Sequence, residues 1–220
     1  MSSKRTSKRK RLLTISVVLV LALLIVAFRL VEEIGRERRP SDRFVVARVL
    51  DGDTVELRGG DRLRLLAIDT PEKGDPLFDE ATRLLDSLAV GETAVIRFAE
   101  QRRDRYGRLL GYLYVDTLFV NRVILERGLG YLYLFGDSRL DSPAIRQLLE
   151  AQRRAMEERS GLWGIDYAPE DRYIARQGSF RLHRPGCRSV QELAPGTYRV
   201  FATREEGLAI GLSPCRNCKP

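Results

Sequence analysis

Short apolar segments, in which alternate positions are often polar, recur between residues 44 and 115. Five of them have the length and composition of β-strands, and Asp-Gly, Gly-Gly-Asp or longer polar connections separate them. The predicted strands span residues 44–50, 54–57, 63–68, 93–99 and 109–115. Asp51-Gly52 and Gly59-Gly60 are typical of tight hairpin turns, so we predict that the first three strands are antiparallel.

Apolar residues at helical spacing predict three helices. The first spans residues 77–88, between the third and fourth strands, and the second spans residues 119–128 and ends at a glycine. The third begins with Ser142 as its N-cap and Pro143 in its first turn. Five strands with a helix between the third and fourth is the element order of an OB-type barrel, so the predicted fold class is a β-barrel with helices (α+β).

Acidic residues stand where two of the predicted strands meet their turns. Asp53 and Asp69 are set among apolar residues, and a buried wall carries unpaired carboxylates only at a cost of several kcal/mol, so they need a cation. Oxygen ligands with no nearby His or Cys favour Ca²⁺ over Zn²⁺. On an unbroken strand Arg64 and Asp69 would face opposite sides, so their cooperation requires a bulge or a strand end near Ala67.

Two arginines and a further acid complete the candidate catalytic set. Arg64 lies on the third strand, and Arg108 ends the segment Asp-Arg-Tyr-Gly-Arg just before the fifth. Planar bidentate donors and a metal match a phosphodiester, whose non-bridging oxygens gain charge during displacement. Glu72 is the candidate base for a water molecule.

These motifs resemble the staphylococcal nuclease (thermonuclease) family over residues 45–163. The matching elements are Asp51-Gly-Asp53-Thr54, Arg64 followed by Asp69-Thr70-Pro71-Glu72, and Asp104 to Arg108. The resemblance implies an OB-type barrel that binds Ca²⁺ and cleaves DNA and RNA, leaving 3′-phosphates. It assigns the ligand set to the side chains of Asp53 and Asp69 and the carbonyl of Thr70. It places three further side chains near the water and the phosphate: Glu72, Arg64 and Arg108.

The amino-terminal region has the composition of a membrane anchor. Residues 1–11 carry six cations and no acid, and in residues 12–28 only Thr14 and Ser16 are polar. We assign residues 1–11 to a cytoplasmic tail, 12–30 to a transmembrane helix and 31–42 to a linker, so the catalytic domain at 43–166 faces outward. A cleaved signal peptide is the alternative, although no small-x-small site follows.

That amino-terminal tail also explains most of the formal charge of +8, because its six cations leave only +2 for the remaining chain. Net charge is therefore weak evidence for nucleic-acid binding.

All three cysteines and the only histidine lie in the last segment, residues 167–220. One nitrogen and three sulfur ligands in two closely spaced pairs suit a structural Zn²⁺, and the candidate ligands are His183, Cys187, Cys215 and Cys218. The alternative is a Cys215–Cys218 disulfide with Cys187 free. The segment resembles the small metal-binding domain of the bacterial methyl-phosphotriester repair protein, which implies contact with nucleic-acid backbone but, with His183 in place of a cysteine, no repair chemistry. The cations available for that contact are Arg181, Arg184, Arg188, Arg216 and Lys219.

The sequence thus favours a membrane-anchored, outward-facing, Ca²⁺-dependent nuclease with a structural Zn²⁺ module, acting on DNA and RNA as a monomer. A barrel that binds nucleic acid without cleaving it, for example in DNA uptake at the cell surface, is one alternative. A metal or redox sensor built on the tail is another.

Overall fold

A computed structural model describes residues 23–27, 42–135 and 138–220 of the chain. Residues 23–27 are helical. The remainder of the predicted cytoplasmic tail, anchor and linker lies outside the described residues. Across the described ranges, no helix combines the length and apolar character needed to cross a membrane.

The first eight strands build a barrel and its edge. They are β1 (Asp42–Asp51), β2 (Thr54–Leu57), β3 (Arg62–Leu65), β4 (Ile68–Asp69), β5 (Thr93–Arg103), β6 (Leu109–Val115), β7 (Leu118–Phe119) and β8 (Tyr131–Leu132). The sheet order is β3-β2-β1-β5-β6, and parallel pairing of β6 with β3 closes the barrel. The predicted five-stranded OB-type barrel is therefore confirmed.

The predicted third strand is interrupted near Ala67, where a strand end was expected because Arg64 and Asp69 must share one side. It ends at Leu65, and Ala67 adopts a left-handed backbone with φ of 59° before the two-residue strand β4 begins. This break turns Asp69 to the same side as Arg64, as predicted.

Three helices cover the barrel: α1 (Phe78–Ala89), α2 (Val120–Glu126) and α3 (Pro143–Glu157). All three predicted helices are confirmed. α1 starts one residue later than expected because Leu77 has a positive φ of 65°. At α3 the hydroxyl of Ser142 accepts a hydrogen bond from the amide of Ile145, which is the predicted N-cap.

The carboxyl-terminal segment packs on the end of α3. It contains β9 (Tyr173–Arg176), β10 (Arg181–Leu182), β11 (Tyr198–Phe201), α4 (Arg204–Ala209) and β12 (Ser213–Pro214). Strand β9 pairs with β11, and β10 pairs with β12. Ala155 and Trp163 share a buried cluster with Tyr173, Leu182 and Leu208, so residues 42–220 form one compact unit.

Candidate active site and metal cluster

Asp53 and Asp69 meet at the open end of the barrel, and Arg64 joins them. The Arg64 Nη1 atom lies 2.9 Å from Asp53 Oδ2, and its Nη2 atom lies 3.1 Å from Asp69 Oδ1. The same guanidinium donates to the Leu65 carbonyl at 3.1 Å. Arg64 therefore fixes both carboxylates in one geometry, which is the convergence that the sequence predicted.

A glycine allows the two acidic turns to touch. A Cβ added at Gly52 would lie 2.7 Å from Thr70 Oγ1 and 2.7 Å from the Cβ of Ala81. Because Gly52 leaves this space open, Asp53 Oδ2 accepts hydrogen bonds from both the amide and the hydroxyl of Thr70, at 3.0 and 3.1 Å. The Asp-Gly-Asp motif is thus a close-approach turn as well as a source of carboxylates.

Burial raises the pKa of Asp53 to about 7; the Arg64 guanidinium opposes this rise, whereas the negative charges of Asp51 and Asp69 add to it. Three carboxylates at this spacing repel one another, and a divalent cation would relieve that repulsion. Only oxygen atoms are offered by these acids, so the donor set fits Ca²⁺.

Arg108 lies immediately before β6, the strand that pairs with β3, and its guanidinium is bound by Asp104. In the β3–β6 register Arg64 pairs with Leu110, two residues beyond Arg108. The Arg108 Nε and Nη2 atoms bind Asp104 Oδ2 at 2.9 and 2.8 Å. Asp104 also accepts from the amides of Tyr106 and Arg108, which closes the turn before β6.

Glu72 lies in the loop after Thr70, and its side chain is mostly exposed. Its neighbour is a residue that the sequence did not place here. The guanidinium of Arg216, between Cys215 and Cys218, binds both carboxylate oxygens of Asp69 and lies 3.8 Å from Glu72 Oε1. The tail therefore reaches directly into the candidate active site.

A cavity of about 220 Å³ lies between the acidic loop and the tail. Its lining includes Asp69, Thr70, Glu72, Tyr131 and Arg216. This volume gives room for a hydrated cation beside the carboxylates.

The four predicted Zn²⁺ ligands converge in the tail. His183 and Cys215 directly follow the paired strands β10 and β12, and the amide of Cys215 donates to the Leu182 carbonyl at 2.9 Å. The ligand atoms of His183, Cys187, Cys215 and Cys218 all lie within 4.8 Å of one another. In tetrahedral coordination with Zn–S distances of about 2.3 Å, the ligand atoms would be about 3.8 Å apart, so the cluster fits after a small contraction.

The chemical state of these side chains also suits coordination. All three cysteines are free thiols, so the structure contains no Cys215–Cys218 disulfide. Burial, aided by the charge of Arg181, lowers the pKa of His183, which favours the neutral imidazole that binds metal. Burial opposes ionisation of Cys187, but hydrogen bonds from Ser189, Cys218 and Cys215 together lower the pKa of that thiol. Burial raises the pKa of Cys218 to about 12, so this thiol would lose its proton only when a metal binds.

The predicted site residues thus fall into two groups with one unexpected link. Asp53, Arg64, Asp69, Thr70 and Glu72 surround one end of the barrel, whereas the four Cys/His residues form a separate cluster. Arg216 joins the two. A signal for it was present in the sequence, because a residue between two closely spaced metal ligands has its backbone fixed from both sides.

The barrel region of this chain is similar to proteins of a known family. The family model for staphylococcal nuclease homologues matches residues 62–164, and the Cys/His cluster lies beyond that match. An uncharacterized endonuclease of Escherichia coli O157:H7 is 35% identical over 122 residues, which are 54% of this chain and 74% of the relative. A micrococcal nuclease of Shigella flexneri is 30% identical over 137 residues, 57% of this chain and 75% of the relative. With its barrel, its converging acids and these relatives, the chain belongs to the staphylococcal nuclease family.

Proposed function

We propose that this protein is a Ca²⁺-dependent nuclease that hydrolyses phosphodiester bonds of DNA and RNA and leaves 3′-phosphates. One observation carries the proposal: Asp53 and Asp69 come from separate turns and are bound by Arg64 at 2.9 and 3.1 Å, and Asp69 lines an open cavity. Clustered, largely buried carboxylates are costly for the fold, which is typical of a site kept for chemistry. Membership of a nuclease family supports the same reaction class.

The Ca²⁺ would be held by the side chains of Asp53 and Asp69 and the carbonyl of Thr70. When bound, it would supply positive charge beside the phosphate oxygens on which charge builds up. Arg64 keeps the two aspartates in position, because its fork contacts both of them. The exposed carboxylate of Glu72 is available to take a proton from the attacking water.

Arg108 is the arginine with which the barrel would meet the phosphate. Its partner Asp104 competes for the same donors, so a phosphodiester must replace a carboxylate at the guanidinium. The exchange is favourable when the incoming anion is bidentate and the site is shielded from water.

In the tail, His183, Cys187, Cys215 and Cys218 would hold a structural Zn²⁺ with no open coordination position. We expect one Zn²⁺ per chain in metal analysis of the pure protein. Preparations that lack bound metal but retain a folded tail would contradict this assignment.

We also propose that residues 12–30 anchor the protein in a membrane with the nuclease domain outside. The support is the apolar segment behind six cations. Intact protein should fractionate with membranes and be digested by external protease. A mature amino terminus near Glu32 would instead identify the segment as a cleaved signal.

The central test of the nuclease assignment uses the full-length chain in detergent. Single-stranded and duplex DNA and RNA are incubated with Ca²⁺ or with a chelator, and the product ends are identified. We expect Ca²⁺-dependent cleavage that Glu72→Gln reduces and Glu92→Gln, at an exposed acid elsewhere on the barrel, does not. Binding of nucleic acid without cleavage would favour a non-catalytic role, and cleavage in chelator would refute the Ca²⁺ requirement.

A further inference from the structure

Arg216 is the only residue of the Cys/His cluster loop, residues 215–218, whose side chain binds a candidate nuclease residue among the described parts of the chain. Its guanidinium forms a two-point contact with Asp69 and lies 3.8 Å from Glu72. Two nearby contacts hold the same surface in place: Lys219 Nζ binds Asp75 at 2.7 Å, and the Arg181 guanidinium lies 3.6 Å from the centre of the Tyr133 ring.

We propose that Arg216 is a further phosphate-binding arginine of the nuclease site, beside Arg108, presented to the substrate by the metal-binding tail. This inference rests on the proposed function, because it assigns a substrate contact within that site. It also changes the expected role of the tail from general contact with nucleic-acid backbone to direct contact with the phosphate that is cleaved.

The side chain of Arg216 is more exposed to solvent than those of Arg64 and Arg108. The Arg64 side chain is 12% exposed and has both acids as partners, and that of Arg108 is 30% exposed and paired with Asp104. Arg216 is 53% exposed although it contacts Asp69. A guanidinium has five N–H donors, and Asp69 engages only one side of it, so the remaining donors can meet a polymer that approaches from solvent.

The balance of charges at the candidate site also favours a phosphate-binding role for Arg216. The acids Asp51, Asp53, Asp69 and Glu72 together carry four negative charges when ionised, against two from Ca²⁺ and one from Arg64. Arg108 adds nothing to this balance while Asp104 neutralises it. An anionic phosphodiester would thus approach a negative site, and Arg216 adds positive charge at Asp69, one of the acids that line the cavity.

The loop that carries Arg216 explains how a surface arginine can hold a defined position. Its neighbours Cys215 and Cys218 belong to the Cys/His cluster, and the amide of Lys219 donates to the Cys215 carbonyl at 2.8 Å. A short loop tied at both ends loses little further entropy when the side chain binds a phosphate.

The test compares Arg216→Ala and Arg216→Lys with a charge-matched control. Arg199→Ala removes the same charge from an exposed position of β11 that contacts none of the candidate site acids in the described structure. Rates with Ca²⁺ and single-stranded DNA should show about 100-fold loss of kcat/KM for Arg216→Ala and only slight recovery for Arg216→Lys, because a point charge does not replace a two-point donor. Arg199→Ala should stay within about twofold of the wild type.

Binding gives a readout that does not depend on turnover. In a Glu72→Gln background, which slows cleavage, the slope of log affinity against log salt should fall by about 0.7 for Arg216→Ala, the value expected for one lost phosphate contact on a single strand. Arg199→Ala should leave the slope unchanged. Calorimetry reports Ca²⁺ affinity in the same proteins, and thermal unfolding checks that each variant is folded.

Three results would overturn the proposal. An Arg216→Ala protein that binds Ca²⁺ more tightly and cleaves faster would show that Arg216 shields the metal site. Equal effects of Arg216→Ala and Arg199→Ala would show that Arg216 acts only through its contribution to the net charge. An unchanged salt slope would show that Arg216 does not contact a phosphate. If the wild type binds DNA but never cleaves it, the nuclease assignment fails, while the salt slope still decides whether Arg216 contacts phosphate.

Discussion

Replacing Gln152 by Met should destabilise the junction that holds the tail against the barrel. Gln152 lies on α3 and is fully buried. Its Oε1 accepts a hydrogen bond from the Leu132 amide at 2.7 Å, and its Nε2 donates to the Leu208 carbonyl at 2.7 Å. One side chain therefore connects strand β8 of the barrel region to helix α4 of the tail.

The size of the effect follows from these two bonds. Methionine is also unbranched and of similar length, so the change leaves little cavity but removes both polar partners. The Leu132 amide would be left unpaired, which costs about 1–3 kcal/mol, whereas the Leu208 carbonyl still accepts from the Gly211 amide at 3.1 Å. The free energy of unfolding should therefore fall by about 1–3 kcal/mol. The loss should exceed the roughly 0.5 kcal/mol typical of surface substitutions.

Urea unfolding measured by tryptophan fluorescence is a direct assay for this junction. Trp163 is the only tryptophan in the sequence, and its ring lies 5.3 Å from that of Tyr131 in the cluster shared with the tail. Gln147→Met provides the control, because Gln147 is exposed on the same helix. If both variants lose the same small amount of stability, the Gln152 bonds do not hold the junction and the reasoning is refuted.

Three further predictions concern the site itself. Asp53→Asn should abolish Ca²⁺ binding in calorimetry and Ca²⁺-dependent cleavage while the protein stays folded, since the amide oxygen can still accept from Thr70; retained turnover would exclude Asp53 as a ligand. Arg64→Lys and Arg108→Lys should each lower kcat by about 100-fold or more, with Ca²⁺ affinity reduced only in the Arg64 variant, which loses its bridge between the aspartates. Burial alone would raise the pKa of Asp104, but hydrogen bonds from Arg108 and from backbone amides lower it. The ionised Asp104 carboxylate therefore stabilises the fold above its unfolded pKa of about 4, and this stabilisation is lost as the pH falls through the lower folded pKa. Asp104→Asn should therefore reduce the free energy of unfolding by about 1 kcal/mol at neutral pH, a difference that disappears in acid unfolding series; a difference independent of pH would contradict the assigned charge.

Local patterns in the sequence were sufficient for the elements and for most of the candidate site. Ser142 and Pro143 mark the start of α3 because capping and a fixed proline φ are properties of neighbouring residues. The strand end near Ala67 followed from the requirement that Arg64 and Asp69 share one face. In each case the determining interaction lies within a few residues along the chain or within one hairpin.

Contacts between distant segments depend on the tertiary structure. Arg216 and Asp69 are 147 positions apart, and they meet because Gln152 and the shared apolar cluster dock the tail on the barrel. The amino-acid sequence specifies which residues can carry the chemistry. The packing of α3 between barrel and tail specifies which of those residues face one another, since side-chain contacts across such distances depend on how whole elements fit together.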